Sequence, residues 1–132
     1  MTQEEKDLLL KDLCGRLPYG VKVQTTYINP QTKERKDIGT DVLSTVEISM
    51  LIDGYEEHKP YLFPLSSMTA EQRKEYDKII YHSVELHCER YYDVIDVDSC
   101  DELHDFYHKN HFDYRGLIPM DLANDATGLN IY

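Results

Sequence analysis

A chain of 132 residues, 41% of them apolar, has the length of one domain and enough apolar surface to fold without disulfides or a structural metal. Its formal charge of −11 and pI near 4.8 exclude duplex nucleic acid and membranes as expected partners, because both present phosphates that this field repels. The acidity is uneven, with 8 basic against 11 acidic residues up to Met68 and 6 against 14 after it.

Three cysteines, Cys14, Cys88 and Cys100, form no C-x-x-C pair, which suits reduced thiols in a cytoplasmic protein. The opening Thr2-Gln3-Glu4-Glu5 lacks a basic stretch, and Leu8 to Leu10 is too short an apolar run, so neither a signal peptide nor a membrane span is expected.

Thr2 and Glu5 form a capping-box pattern that opens a first helix over residues 1–17. Leu9, Leu10, Leu13 and Leu17 recur near helical spacing, and Gly15 offers a C-terminal stop. After the turn Pro18-Tyr19-Gly20, Val21, Val23 and Thr25 alternate with Lys22, Gln24 and Thr26, the pattern of a strand with one wet face. Asn29 to Lys33 reads as a hairpin loop, since Pro30 presets φ for a turn. Val42 to Ile52 is rich in β-branched and aliphatic residues and predicts one or two strands, ended by Asp53-Gly54. Pro60 and Pro64 flank Tyr61-Leu62-Phe63, which predicts an edge strand or extended connector, because proline donates nothing to a ladder.

Thr69 with Gln72 predicts a second capping box and a helix to about Arg90, with Tyr76, Ile79, Ile80, Val84, Leu86 and Tyr91 on its apolar face. Ser99 with Glu102 predicts a third, from Cys100 to about Asn110, with Leu103, Phe106 and Tyr107 as its apolar edge. One helical turn is expected at Pro119 to Ala123. The chain thus divides into a helix (1–17), a β region (21–65), a helical region (70–111) and a tail packed on the domain (112–132). Strands segregated from helices imply an α+β fold: a small antiparallel sheet of three to four strands flanked by an N-terminal helix and two C-terminal helices.

Cys100, His104, His108 and His111 fall within an arc of roughly 80° at helical periodicity. Histidines at i and i+4 suit zinc or another divalent ion, with Asp101 and Asp105 beside them to orient the imidazoles. The alternative is a soluble helix face that binds nothing, and no Glu completes an H-E-x-x-H pattern. No cofactor is otherwise expected. His87, on the apolar face of the second helix, reads as a hydrogen-bonded core residue rather than a catalytic base.

Tyr92, Asp93, Asp96, Asp98, Asp101, Glu102 and Asp105 form an acidic stretch with no basic residue among its charges. Asp96-x-Asp98 matches the start of a calcium loop, but Asp101 stands where the loop needs glycine and Tyr107 where it needs glutamate. A solvated face, or one that meets a basic protein partner, is the favoured reading. Nucleophile and phosphate-loop signatures are missing, and the six glycines are spread singly, which lowers the expectation of an enzyme. Eleven tyrosines read either as half-buried core residues or as an interface-prone surface.

The stretches Lys59-Pro-Tyr-Leu-Phe-Pro-Leu-Ser-Ser-Met-Thr69, His111-Phe-Asp-Tyr-Arg-Gly-Leu-Ile118 and Leu17-Pro-Tyr-Gly-Val-Lys22 resemble a family of short uncharacterised acidic proteins common in gut Bacteroidales genomes and their phage and mobile elements. That resemblance implies no activity, only a lean toward regulatory or counter-defence roles. Within these islands Phe112, Tyr114, Leu117 and Ile118 are expected to fold the tail back, with Arg115 free to pair with the acidic face. A ligand clasp of Asp113, Tyr114 and Arg115 is the less favoured alternative. The expected function is a non-enzymatic protein-binding module acting through the acidic C-terminal half. The alternatives are a small metal-binding protein or metal-dependent hydrolase using the histidine stripe, and a homo-oligomeric structural protein.

Overall fold

The computed structural model describes residues 1–88 and 101–132, and for 82–88 the backbone alone. The expected α+β class is what the chain adopts. Helix α1 spans Gln3–Arg16, and its capping box is formed, Thr2 Oγ1 accepting from Glu5 N while Thr2 N donates to the Glu5 carboxylate. Gly15 does not stop it. The helix passes through Gly15 and tightens into a 3₁₀ turn at Leu17–Tyr19, and Gly20 makes the exit with φ 69°.

Strands β1 (Lys22–Ile28) and β2 (Arg35–Val42) form an antiparallel hairpin across Asn29–Glu34. Helix α2 (Thr45–Asp53) replaces the strands expected in this stretch. Ser44 and Glu47 form a capping box, Ile48 and Leu51 meet the core at helical spacing, and Gly54 closes the end with φ 82°, donating its N–H to Leu51 and Met50 carbonyls. The caps prevail over β propensity because they satisfy orphan backbone groups at both ends of a short helix.

Strand β3 (Glu56–Pro64) is interior, not an edge. It pairs antiparallel with β1 up to the register Val23↔Pro60. It also pairs in parallel with β5 (Asn124–Asp125) at Tyr61 and Leu62, and with β4 (Phe112–Asp113) at Phe63 and Pro64. Each proline stands where a ladder ends, so neither interrupts a continuous run of hydrogen bonds. The sheet is therefore mixed, in the order β2-β1-β3-β4 with β5 also on β3, rather than wholly antiparallel. Helix α3 (Ala70–Cys88) starts at the Thr69–Gln72 box, and α4 (Asp101–Lys109) follows. Turns occupy the stretch where a helical turn was expected near Pro119.

Two apolar clusters hold these elements. One joins Leu9 and Leu13 of α1, Val21, Val23, Leu43, Leu51 and Leu62, with Leu117, Leu122 and Ala123 from the tail. The other joins Leu103, Phe106 and Tyr107 of α4 to Phe112, with Phe63, Tyr76 and Ile79 packed against it. Alternation along β1 and β3 puts Val23 and Thr25, and His58 and Leu62, on the buried face, which brings a histidine into the core beside Thr25. Among the described residues no helix is long and apolar enough to cross a membrane.

Candidate functional site

Helix α4 is amphipathic with an unusual inner face. Leu103, Phe106, Tyr107 and His108 are buried, while Asp101, Glu102 and Asp105 are exposed. The helical period that sends the apolar residues inward carries His104 and His108 partly or wholly with them. Their rings stack 6.2 Å apart, and both lie against Tyr114, each at 5.5 Å between centroids. His108 Nε2 is 2.9 Å from the Tyr114 hydroxyl. Gly15 of α1 lies under this ring: a methyl group there would sit 2.9 Å from His108 Cε1.

Behind Tyr114 lies a buried ion network. Arg16 and Asp12, both fully buried and one helical turn apart, pair at 2.7 Å, and Arg16 also donates to the Phe112 carbonyl at 2.6 Å. Arg115 joins this network, its Nε contacting the other Asp12 oxygen at 3.2 Å. Both guanidinium groups face the Tyr114 ring, at 5.4 and 4.8 Å from its centroid. Burial, assisted by Arg16, lowers the His108 pKa to about 4. The Tyr114 hydroxyl is raised, again by burial first.

His111 does not join His104 and His108 in a common ligand set. Its backbone turns through φ 58° and its ring stacks on Tyr132 at 3.8 Å. Burial first, and then Arg16, brings its pKa down to about 4 as well. Tyr132 donates to the Tyr61 carbonyl and accepts from Lys22 N, and burial pushes its pKa up to about 12. Asp113 accepts the backbone N–H groups of Leu117 and Ile118 at 2.8 and 2.9 Å, which holds the turn into the tail.

Cys100, Tyr92, Asp93, Asp96 and Asp98 lie outside the described residues, as does the side chain of His87. Among the described residues no three His, Cys, Asp or Glu side chains are placed to hold a metal ion. Of the acidic stretch, Asp105 accepts the Tyr19 hydroxyl at 2.7 Å, which raises the Tyr19 pKa. Asp101 and Glu102 point outward from the first turn of α4.

Sequence reasoning passed over Asp12 and Arg16, the hub of the network. Their i,i+4 spacing was the available signal, but on a helix with three adjacent leucines it reads as a surface pair. His58 was also missed, although its place in β3, at even spacing from Pro60 and Leu62, puts it on the inward side. No family model, curated protein or solved structure matches the chain.

Proposed function

We propose that the protein is a non-enzymatic binding module that engages a basic surface of another protein through the outward face of α4. The observation that carries this reading is the division of α4. Its histidines are turned toward Tyr114, so the solvent-facing side of its first turn is carboxylate alone, at Asp101 and Glu102. A net charge of −11 adds a long-range field that accelerates encounter with a basic partner and is screened by salt. The neighbouring Asp93, Asp96 and Asp98 extend the same charge along the sequence. A regulatory role in phage or mobile elements, which the resemblance implies, suits such a module.

The test is quantitative affinity capture with the untagged chain coupled through its thiols, run beside a D101K/E102K variant. A partner retained by the first and lost by the second, with both variants equally stable to urea, supports the reading. Equal retention by both overturns it. Native mass spectrometry of the same untagged protein covers the metal alternative: one ion per chain would return attention to His104, His108 and Cys100.

A further inference from the structure

Tyr132, at the end of the tail, closes a gap in the sheet. Along one edge of β3 the partner changes: β1 pairs with it as far as Val23↔Pro60, and Phe63 N–H donates to the His111 carbonyl where β4 begins. Tyr61 falls between the two, and strand alternation puts its carbonyl on the same edge as the Phe63 N–H. The next pair of the β1 ladder would join Lys22 directly to Tyr61. Instead the phenol of Tyr132 stands between them, its hydroxyl accepting from Lys22 N at 2.9 Å and donating to the Tyr61 carbonyl at 2.8 Å.

The ring is held as specifically as the hydroxyl. It stacks on His111 at 3.8 Å with 12° between the planes, meets Phe63 at 5.9 Å, and has the Lys22 ammonium 5.9 Å from its centroid. Main-chain groups, one donor and one acceptor, take up the hydroxyl in both directions. A phenyl ring in the same place would leave that N–H and C=O unpaired, and sites built to hydrogen-bond a hydroxyl discriminate strongly against the analogue that lacks it. The segment that delivers the ring is lightly held. Thr127 to Asn130 are exposed, and Gly128 and Asn130 turn through φ 79° and 52°. Beyond Leu129 its polar contacts are those of Tyr132 and one from the Lys22 ammonium to the Ile131 carbonyl. Tyr132 itself remains 44% exposed, so the ring enters the gap from solvent.

We propose that this gap is a slot for a tyrosine side chain, which residues 127–132 fill as a strap in the free protein and which a tyrosine of a partner takes when the strap lifts. The chemistry of the occupant is set by what the slot already holds: a hydroxyl between Lys22 N–H and the Tyr61 carbonyl, and a ring on the face of His111. Short exposed segments with few contacts open at far less cost than the whole fold, so the cis ring is exchangeable. Tyrosine suits such a role because its ring supplies contact area and its hydroxyl a polar tip. The strap then acts as an internal competitor and lowers the apparent affinity by the fraction of time that it is open. No slot residue belongs to α4, so the slot and the acidic face are separable by experiment.

The test is a ¹⁵N NMR titration of the full chain with N-acetyl-tyrosinamide, using N-acetyl-phenylalaninamide as the control without a hydroxyl. In Tyr132→Ala the expected result is saturable shifts at Lys22, Phe63 and His111 with the tyrosine compound only. The parent should show the same shifts with an affinity about tenfold weaker, because its own ring competes, and the D101K/E102K variant should match the parent. Tyr132→Phe keeps the test available if Tyr132→Ala does not fold: hydrogen exchange at the Lys22 amide should rise about tenfold, since its acceptor is gone. Equal responses to the two compounds, no response in a folded Tyr132→Ala, no tyrosine-selective shift in the parent, equal affinity in parent and Tyr132→Ala, or unchanged Lys22 exchange in Tyr132→Phe would each overturn the proposal.

Discussion

Replacing Gly15 with alanine is a sensitive probe of how α4 is seated. In the interior of an ordinary helix the change stabilises by about 1 kcal/mol, because alanine has the better helix propensity. Here the new methyl group would lie 2.9 Å from His108 Cε1 and 3.4 Å from Nε2, inside the ~3.5–4.0 Å at which carbon contacts are favourable. The ring has little room to retreat, since Tyr19 packs at 5.7 Å and Tyr114 holds Nε2 at 2.9 Å. Overpacking of this kind costs about 1–3 kcal/mol. Net destabilisation of up to about 2 kcal/mol is expected, at roughly 3–5 °C in Tm per kcal/mol for a chain of this length. Urea unfolding of Gly15→Ala in the parent and in a His108→Ala background measures it. Removing the ring should turn the penalty into a gain, with a coupling of about 2 kcal/mol. If Gly15→Ala stabilises the parent, or has the same effect in both backgrounds, His108 does not occupy this seat.

Three further outcomes follow from the same geometry. Asp12→Ala leaves the fully buried Arg16 without its carboxylate and should cost about 3–5 kcal/mol in urea unfolding, whereas Arg35→Ala, which breaks a solvent-exposed pair with Glu57, should cost under about 1 kcal/mol. Ser44→Ala should cost about 1 kcal/mol by removing the α2 cap, with the loss visible as a lower urea midpoint. For His108 and His111 the folded pKa of about 4 lies below the usual 6.5, so the unfolded chain takes up protons first as pH falls. Their contribution is complete above pH 6.5 and drains away toward pH 4, by at most about 3 kcal/mol for His108. A urea midpoint that stays flat between pH 7 and 5 would refute this.

Much of the architecture is legible in the residues, and the failures have physical causes. The Thr2–Glu5 and Thr69–Gln72 boxes mark α1 and α3 because side chain and backbone satisfy each other locally. The Ser44–Glu47 box was overlooked because Val42 to Ile52 is β-branched enough to resemble a strand, and short apolar runs do not separate the two periods. Strand β2 lacked an alternating pattern to read, since all eight of its residues are exposed. The interior position of β3 depends on β4 and β5, two-residue strands delivered from the tail, and such distant pairing leaves no local trace. For the candidate site, helical spacing brings His104 and His108 together but not His111, which lies past the end of α4, and spacing does not say which way a face points. Tyr114 decides that, and it arrives from beyond the helix.

The most direct test of this two-faced α4 is a long-range ¹H–¹⁵N NMR titration of the histidine side chains between pH 7.5 and 4. His108 should remain neutral, in one fixed tautomer, down to about pH 5, as its seat beside Tyr114 and Arg16 requires. A His108 that titrates near 6.5 with averaged tautomers would place the ring in solvent and contradict the inward face on which the account rests.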